Sequence, residues 1–388
     1  MVAILDTTLR EGEQTPGVYF SPRMKLEIAI ALDEAGIDII EVGNPNAHPT
    51  LKAAIHAIAA ARLKAKISTY TCCEISHVQT VLDCGVTHCG VHVSASHQRD
   101  RARALAHVQA VLGYVKTEQP SMVMRLIIED AVRAPFENLV AVAAAAAEAG
   151  ADIICIADAS GYLTPFPGDR HIGSYVAQIK TALAERKVSP QIELHLHNDR
   201  GLAIANALAG VEAGADIVDA SVLGFGERAG IVDVLPLAST LAELDPDCAQ
   251  RYRLGRLREL YELASRHSRR LIPHTAPISG AYAFTHYSGV HVKAVRSEPS
   301  IYMSLDPRRF GVDWSVALGV QSGRHSIELA LETIGREDLV VESDKAPLVE
   351  MILDEVKSTA TRGEPVEVMK EFLSIVWRCE RTWRASQR

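Results

Sequence analysis

The sequence predicts a closed barrel of eight parallel strands with helices outside it, followed by a small, mostly helical C-terminal subdomain. Eight short apolar runs alternate with stretches of helical periodicity, and several helical stretches end in the same short phrase. An open doubly wound sheet is the alternative, but it usually has fewer strands and a glycine-rich phosphate loop after the first one. Here a charged loop follows the first strand, which favours an α/β fold of the (β/α)8 TIM barrel class.

The predicted strands and helices follow one another in a regular order. The phrase Glu-Ala-Gly-x-Asp recurs at residues 34–38, 148–152 and 212–216. A glycine just past a helix takes the left-handed conformation that turns the chain back, so the phrase indicates one strand–helix unit used several times. The predicted strands are residues 2–6, 37–42, 66–70, 88–93, 122–128, 152–157, 191–195 and 217–222, and helical spacing is clearest at 24–32, 138–149 and 202–213.

The character of the sequence changes near residues 245–270. Residues 251–270 predict a charge-rich helix that leads out of the barrel. Residues 273–325 are rich in proline, glycine, histidine and tyrosine, and residues 348–356 and 365–377 predict two amphipathic helices. We therefore predict a barrel domain over 1–250, a linker helix and lid subdomain over 251–325, and a helical subdomain over 326–388.

Composition narrows the class of protein. The net charge of −8 argues against binding to nucleic acid or to anionic membranes, and the longest uncharged apolar run, 139–147, is too short to span a bilayer. No basic segment precedes the first strand, so we expect no secretion signal. The seven cysteines form no C-x₂-C pair and are expected to be reduced thiols, which favours a cytoplasmic protein.

Two histidines at the end of the seventh predicted strand point to a metal site. His195 and His197 stand at i and i+2, so on a strand both rings face the same side. A lone histidine on a strand is more often a satisfied polar group, but this pair before Asn198 favours one shared ion. A carboxylate from elsewhere would complete the site, and residues 6–14, at the end of the first strand, are the candidate source. Within them Glu11 could also be a solvated charge paired with Arg10. Such a set of ligands admits Zn, Mn, Mg or Co.

Further polar residues follow the other predicted strands. In a parallel barrel the carboxyl ends of the strands meet at one face, so these residues should converge there. Glu41 is the most telling, because a carboxylate inside a buried strand is costly unless it is paired. The glycines of residues 224–230 would let the backbone approach an anion. The convergent candidates are Arg10, Glu11, Glu41, Arg125, Glu129, Asp158, His195, His197, Glu227 and Arg228.

These residues together resemble a known enzyme family. Residues 5–17, LDTTLREGEQTPG, resemble the opening signature of the isopropylmalate, homocitrate and citramalate synthases, and residues 195–203, HLHNDRGLA, resemble their second signature. The resemblance continues at residues 284–291, FTHYSGVH, and 321–325, QSGRH. It covers nearly the whole chain in the order of the family.

The resemblance implies a metal-dependent acyltransferase that condenses acetyl-CoA with a 2-oxo acid and then hydrolyses the thioester. It implies that Glu11, His195 and His197 hold the divalent ion and that Arg10 stabilises charge on the keto oxygen. It also implies that His291 and Tyr302, with Glu129, form the acid/base group; for Tyr302, packing beside two prolines is the structural alternative. The family commonly forms homodimers, in which one chain's lid covers the other's barrel, and works in amino-acid biosynthesis. The substrate-binding positions are Gln14, Glu41, Arg125 and Ala159.

The homocitrate synthases are the subgroup that the sequence resembles most. Residues 222–231 and Arg125 favour it, because an arginine would meet the far carboxylate of 2-oxoglutarate. Two positions depart from the pattern: Ile127 stands where a serine is expected and Ala159 where a threonine is expected. The pocket is therefore open to another 2-oxo acid, such as oxaloacetate, pyruvate, 2-oxoisovalerate or one from specialised metabolism.

Three other classes of function are weighed against this one. Metal-dependent C–C lyases or aldolases use the same kind of barrel, but the segments 286–291 and 322–325 belong to the synthases. A two-histidine, one-carboxylate iron oxygenase would require redox-active iron and oxygen uptake, and the predicted barrel argues against this class. A binding or scaffold protein would leave so many convergent ionisable residues unexplained.

Overall fold

The computed structural model describes residues 2–94, 101–341 and 345–387, with the main chain alone for 101–104. The chain forms two compact units, Met1–Ile272 and Pro273–Arg388. In the described part of the first unit, eight parallel strands pair in sequence order and β8 closes on β1, which confirms the predicted barrel. The predicted domain limits at 250 and 325 remain predictions, while the first compact unit ends at Ile272.

Each predicted strand is present, with ends that differ by a few residues. The second is shorter than predicted, and the eighth ends earlier because the chain turns into a short 3-10 helix at Val222–Gly224. The strands are β1 Ala3–Asp6, β2 Ile39–Glu41, β3 Lys66–Cys72, β4 His88–Ser94, β5 Val123–Glu129, β6 Ile153–Asp158, β7 Gln191–Leu196 and β8 Ile217–Ala220.

The helices of the first unit alternate with these strands. The predicted charged helix is confirmed as the last of them, and it packs on the first helix within this unit instead of leading away from it. The helices are α1 Pro22–Ala35, α2 Pro49–Ala60, α3 Ile75–Leu82, α4 Arg101–Glu118, α5 Phe136–Glu148, α6 Ile172–Glu185, α7 Ala203–Glu212, α8 Val234–Leu244, α9 Pro246–Arg251 and α10 Leu254–Ser268.

The repeated phrase has a physical explanation at the amino ends of the strands. Its glycine ends a helix with φ of 89° at Gly36 and 98° at Gly214. Its aspartate then accepts a main-chain N–H from the start of an adjacent strand. Each repeat therefore links two adjacent strands at their amino ends, which form the floor of the barrel. These hydrogen bonds run from Ile4 to Asp38 (2.9 Å), from Met124 to Asp152 (2.7 Å) and from Ile192 to Asp216 (2.8 Å).

The interior of the barrel is layered. Hydrocarbon fills the layer next to the floor, where Leu5, Ile39, Ile153 and Ile217 pack together. The next layer, nearer the carboxyl ends of the strands, carries charged side chains. The change from apolar to charged layers along the strands places the ionisable residues at the carboxyl ends, as in other barrels of this class.

The second unit is mostly helical, as predicted. A two-stranded parallel pair, β9 Thr285–His286 and β10 Ser315–Val316, accompanies the helices. Their apolar faces form one core that includes Val292, Ile327 and Phe372. The helices are α11 Gly289–Ser297, α12 Arg324–Thr333, α13 Asp338–Val341, α14 Ala346–Thr361 and α15 Leu373–Ser386, with a π-helical turn at Val368–Phe372 before the last.

None of the helices in the described ranges combines the length and the apolar character that are needed to cross a membrane.

Gly90 on β4 provides a test of the packed interior. A Cβ there would lie 2.7 Å from the carbonyl oxygen of Thr69, 2.9 Å from Ile127 and 3.1 Å from Arg125. We expect Gly90→Ala to lower the free energy of unfolding by about 1–3 kcal/mol, because the barrel wall must shift to admit the methyl group. Urea unfolding followed by circular dichroism measures the change.

Gly113→Ala is the matched control, because Gly113 lies in helix α4 and a Cβ there meets nothing within 4 Å. This change should leave stability unaltered or raise it by about 0.5–1 kcal/mol, since alanine is the better helix former. Equal unfolding curves for the two variants would contradict the packing of the barrel interior described here.

Candidate active site

Glu11, His195 and His197 come together at the carboxyl ends of the strands. Glu11 begins a short 3-10 helix after β1, while His195 lies near the end of β7 and His197 directly follows that strand. All three are buried, and each offers a ligand atom within 4.8 Å of the others. The two imidazole rings lie 5.2 Å apart, centroid to centroid, at 69°. One cation can therefore contact all three side chains.

The protonation states of the three groups suit a metal. Burial lowers the pKa of both histidines, to about 4 for His197, so both rings are neutral near pH 7. Burial alone would raise the pKa of Glu11, but the charge of Arg10 and other neighbours outweigh it and lower that pKa. Nδ1 of His197 is buried without a hydrogen-bond partner among the described residues. These groups fit a divalent ion, which needs neutral imidazoles and an ionised carboxylate.

Asp219 orients the first of these histidines. Its Oδ2 lies 2.9 Å from Nδ1 of His195, and both side chains are buried. An imidazole that donates from Nδ1 to a carboxylate keeps the lone pair of Nε2 free for a metal. Sequence reasoning missed Asp219, although an acidic residue inside the apolar strand β8 is the same signal that identified Glu41.

Backbone and amide groups support the carboxylate of Glu11. The main-chain N–H of Glu227 donates to Oε1 of Glu11 at 3.0 Å, and the side-chain amide of Gln14 lies against the same carboxylate. A Cβ on Gly226 would come within 3.3 Å of Glu11, so the glycine allows this close approach. The glycine-rich loop thus contacts an anion of the protein itself.

We call Glu11, His195 and His197 the ligand group. A series of buried ion pairs connects it with the centre of the barrel. Arg125 on β5 donates to Glu193 on β7 at 2.8 and 2.5 Å and to Glu41 on β2 at 2.8 Å. Glu41 also accepts Nε of Arg10 at 2.6 Å, and Arg10 in turn pairs with Glu11. Burial alone would raise the pKa of Glu41, but the guanidinium groups of Arg10 and Arg125 hold it well below its usual range.

Arg125 has an environment that differs from the one expected of a substrate-binding arginine. Its side chain is fully buried, and it donates to two carboxylates and, at 2.7 Å, to Ser68. The carboxyl ends of the strands form the mouth of the barrel. Strand β5 directs Arg125 into the charged layer below this mouth, where Glu41 and Glu193 offset its charge. Glu193 was not among the predicted site residues.

Glu129 lies in a cluster that the sequence analysis did not foresee. Its Oε1 accepts the hydroxyl of Tyr70 at 2.8 Å and lies 3.0 Å from Nδ1 of His92. The hydrogen bond with His92 is the main reason that the pKa of Glu129 is lowered. The rings of Tyr70 and His92 stack at 4.7 Å, and the guanidinium of Arg10 lies 4.4 Å from the centre of the Tyr70 ring.

The remaining barrel candidates stabilise loops. Asp158 accepts main-chain N–H groups from Tyr162 and Leu163. Arg228 makes a two-point ion pair with Asp199, at 2.7 and 2.9 Å, and donates to the carbonyl oxygen of Ala159. Glu227 contributes its main-chain N–H to the site, while its side chain is exposed and lies 3.5 Å from Arg228. These contacts tie together the loops after β6, β7 and β8.

The second unit brings its two predicted catalytic residues together. The rings of His291 and Tyr302 lie 4.0 Å apart at 30°, with His291 on α11 and Tyr302 after the 3-10 helix Pro299–Ile301. The Tyr302 side chain is exposed, so it is free of the tight packing that the structural alternative would require.

Two family models match separate parts of the chain, and two homocitrate synthases match more than 90% of it. A family model described as HMGL-like matches residues 1–264, and one described as homocitrate synthase post-HMGL domain-like matches residues 278–364. A homocitrate synthase of Saccharolobus solfataricus is 34% identical over 374 residues, 93% of this chain and 77% of that protein. A homocitrate synthase of Pyrococcus horikoshii is also 34% identical, over 363 residues, 92% of this chain and 95% of that protein.

Solved structures resemble the barrel. An HMG-CoA lyase from Acinetobacter baumannii superposes with a TM-score of 0.59 and 18% identity, covering 69% of this chain and 91% of that one. The HMG-CoA lyase from Brucella melitensis gives a TM-score of 0.56 and 20% identity over 69% of this chain and 99% of that one. At these identities the likeness concerns the fold alone.

Metal affinity tests the ligand group directly. Glu11→Gln should weaken binding of Co²⁺ or Mn²⁺ by about 100-fold or more, because the amide cannot supply the negative charge. Asp219→Asn should weaken it by about 10- to 100-fold, because His195 loses its carboxylate partner. Isothermal titration calorimetry on metal-stripped protein measures both changes.

His56→Ala is the control for metal affinity, because it removes an exposed imidazole on α2 and should leave the affinity unaltered. Unchanged affinity in Glu11→Gln would rule out this carboxylate as a ligand.

Proposed function

The chain belongs to the HMGL-like family, and on that premise we propose that it condenses acetyl-CoA with a 2-oxo acid and hydrolyses the thioester to release CoA. The observation that carries the proposal is the convergence of Glu11, His195, His197 and Arg10 in a chain whose second unit matches a homocitrate synthase domain. The same match favours a condensing enzyme over a C–C lyase, because the lyase structures resemble the barrel alone.

Glu11, His195 and His197 would hold the divalent ion. When bound, such an ion supplies a Lewis acid that polarises a keto carbonyl. Gln14 and the N–H of Glu227 keep the Glu11 carboxylate in position, and Asp219 keeps the ring of His195 turned toward the other two ligands. The ligand geometry is thus fixed by neighbours before any substrate binds.

Arg10 would stabilise the charge that develops on the keto oxygen of the 2-oxo acid. Its Nε is fixed by Glu41 and one terminal nitrogen by Glu11, while Nη2 donates to none of the residues that the structure describes. A guanidinium held this way is preorganised and needs no rearrangement as charge builds up on the substrate. Glu41 therefore serves the substrate through Arg10.

The acid/base group would transfer protons. We assign to His291 and Tyr302, with Glu129 as the third member, the removal of a proton from the acetyl methyl group. The resulting carbon attacks the keto carbon, and the new alkoxide oxygen takes up a proton. Water then cleaves the thioester to give free CoA and a carboxylate. A homodimer and a cytoplasmic location, both predicted from the sequence, remain part of this proposal, as does a role in amino-acid biosynthesis.

Thiol release is the test of this function. Purified protein with Mn²⁺ or Co²⁺ should release CoA from acetyl-CoA only when a suitable 2-oxo acid is added, and removal of the metal with a chelator should stop the release. The panel comprises 2-oxoglutarate, the acceptor expected from the homocitrate synthases, with oxaloacetate, pyruvate, 2-oxoisovalerate and longer 2-oxo acids. Absence of acceptor-dependent thiol across the whole panel would overturn the proposal.

Arg10→Lys tests the role of the guanidinium. Lysine keeps the charge but cannot pair with Glu41 and the substrate together, so we expect kcat to fall by about 100-fold or more. Arg23→Lys, on the exposed surface of α1, should retain full activity. A value of kcat within twofold of wild type for Arg10→Lys would exclude the proposed role.

Tyr302→Phe tests the acid/base group. We expect it to lower kcat by about 100-fold or more with little change in thermal stability, because the side chain is exposed. Tyr282→Phe is the matched control, since Tyr282 lies in the same unit beside another histidine, His274, at 5.0 Å between ring centroids. Equal activity of the two variants would count against Tyr302.

A further inference from the structure

One side of the barrel mouth, next to the ligand group, is apolar. Ala157 on β6 pairs in register with His195 on β7, so the two side chains are neighbours on the inner face. Ile127 on β5 pairs in register with Cys155 on β6, and Ile127, Cys155 and Ala157 pack in one cluster against Tyr70. We name this cluster the apolar wall.

The apolar wall extends without a break from the ligand group to Arg10. At one end Ala157 adjoins His195, and at the other end the Tyr70 ring lies under the Arg10 guanidinium at 4.4 Å. A 2-oxo acid whose keto oxygen is held between these two ends would have the apolar wall beside it. The side chain of the acid, which starts at the carbon next to the keto group, would then contact hydrocarbon.

The cation below this wall is already neutralised. Arg125 lies two residues before Ile127 on the same face of β5, and Gly90 leaves the space that both side chains occupy. The guanidinium of Arg125 is held by the carboxylates of Glu193 and Glu41 and is fully buried. Four of its five N–H groups donate to Glu193, Glu41 and Ser68, so a substrate carboxylate would gain little from a buried cation whose charge two carboxylates already offset.

The charged group above the apolar wall is itself a carboxylate, which would repel a second carboxylate of the substrate. Glu129 lies two residues after Ile127, again on the same face of β5, and its side chain is partly exposed. It accepts hydrogen bonds from Tyr70 and His92, which keep the carboxylate at this place. A second carboxylate of the substrate would approach a like charge over an apolar surface.

We propose that the acceptor is a 2-oxo acid with an uncharged, apolar side chain, and that Tyr70, Ile127 and Ala157 select it against dicarboxylic 2-oxo acids. The inference rests on the proposed condensation reaction and specifies its acceptor. It assigns to Arg125 a structural role, in which it anchors Glu41 and thereby positions Arg10.

Two acceptors that differ only at the far end test the inference. 5-Methyl-2-oxohexanoate has the same backbone as 2-oxoglutarate, except that an isopropyl group replaces the terminal carboxylate. With the metal-loaded full chain, acetyl-CoA and thiol detection, we expect a kcat/KM about 100-fold higher for the apolar acid. Pyruvate, 2-oxoisovalerate and 4-methyl-2-oxopentanoate then give the length of side chain that the wall prefers, and oxaloacetate gives a second dicarboxylate.

Variants at Ile127 connect the preference to the apolar wall. Ile127→Ser should reduce the ratio of kcat/KM for the two matched acids by about tenfold or more, because it removes hydrocarbon and adds a hydroxyl donor. Ile127→Val keeps the surface apolar and should keep most of that ratio. Circular dichroism and thermal unfolding establish that both variants are folded.

The outcomes separate this inference from the proposed function. Thiol release that favours 2-oxoglutarate or oxaloacetate over every apolar acid would overturn the inference and leave the condensation reaction standing. An unaltered ratio in Ile127→Ser would remove the apolar wall as its cause. Thiol release with none of the acids would overturn the proposed function and the inference with it.

Discussion

The buried chain of alternating charges, from Glu193 through Arg125, Glu41 and Arg10 to Glu11, is the interaction on which the site depends. Each member is held by a neighbour of opposite sign, and the pKa values of the three carboxylates are lowered, so all are ionised. Removal of one partner from such a chain costs about 3–5 kcal/mol, because a charge is left buried and unpaired. Three carboxylates and two guanidiniums leave one negative charge, which a cation at Glu11 would offset.

The barrel separates the residues that hold the fold from those that form the site. At the amino ends of the strands, Asp38, Asp152 and Asp216 accept main-chain N–H groups and repeat the same local structure. At the carboxyl ends the described residues instead supply a mixture of carboxylates, guanidiniums and imidazoles, including Glu41, Arg10 and His195. Substitutions at the floor should therefore affect stability, whereas those at the mouth should affect metal and substrate binding.

Sequence reasoning predicted the fold and the ligand group because both depend on local signals. The Glu-Ala-Gly-x-Asp phrase marks three of the helix-to-strand turns, and a pair of histidines two residues apart on a strand shares one face whatever the rest of the chain does. It missed Glu193, Asp219, Tyr70 and His92, and it did not foresee that Arg125 pairs with two buried carboxylates. These residues depend on the stagger of strands around a closed barrel, which decides the layer that each side chain enters. Glu41 was identified because a buried carboxylate needs a partner, but the sequence did not reveal which one.

Arg125 differs from Arg10 in how far the protein leaves its guanidinium open to a substrate. Arg10 pairs with Glu11 and Glu41 but keeps 12% of its side chain exposed, whereas the side chain of Arg125 is fully buried. Gly90 makes room for Arg125 in the barrel interior, and Glu193 and Glu41 offset its charge. The same pairing fixes Glu41 and, through it, Arg10. On our proposal Arg125 positions Arg10 from below the mouth, and the surface beside the mouth, formed by Ile127, Ala157 and the ring of Tyr70, is apolar.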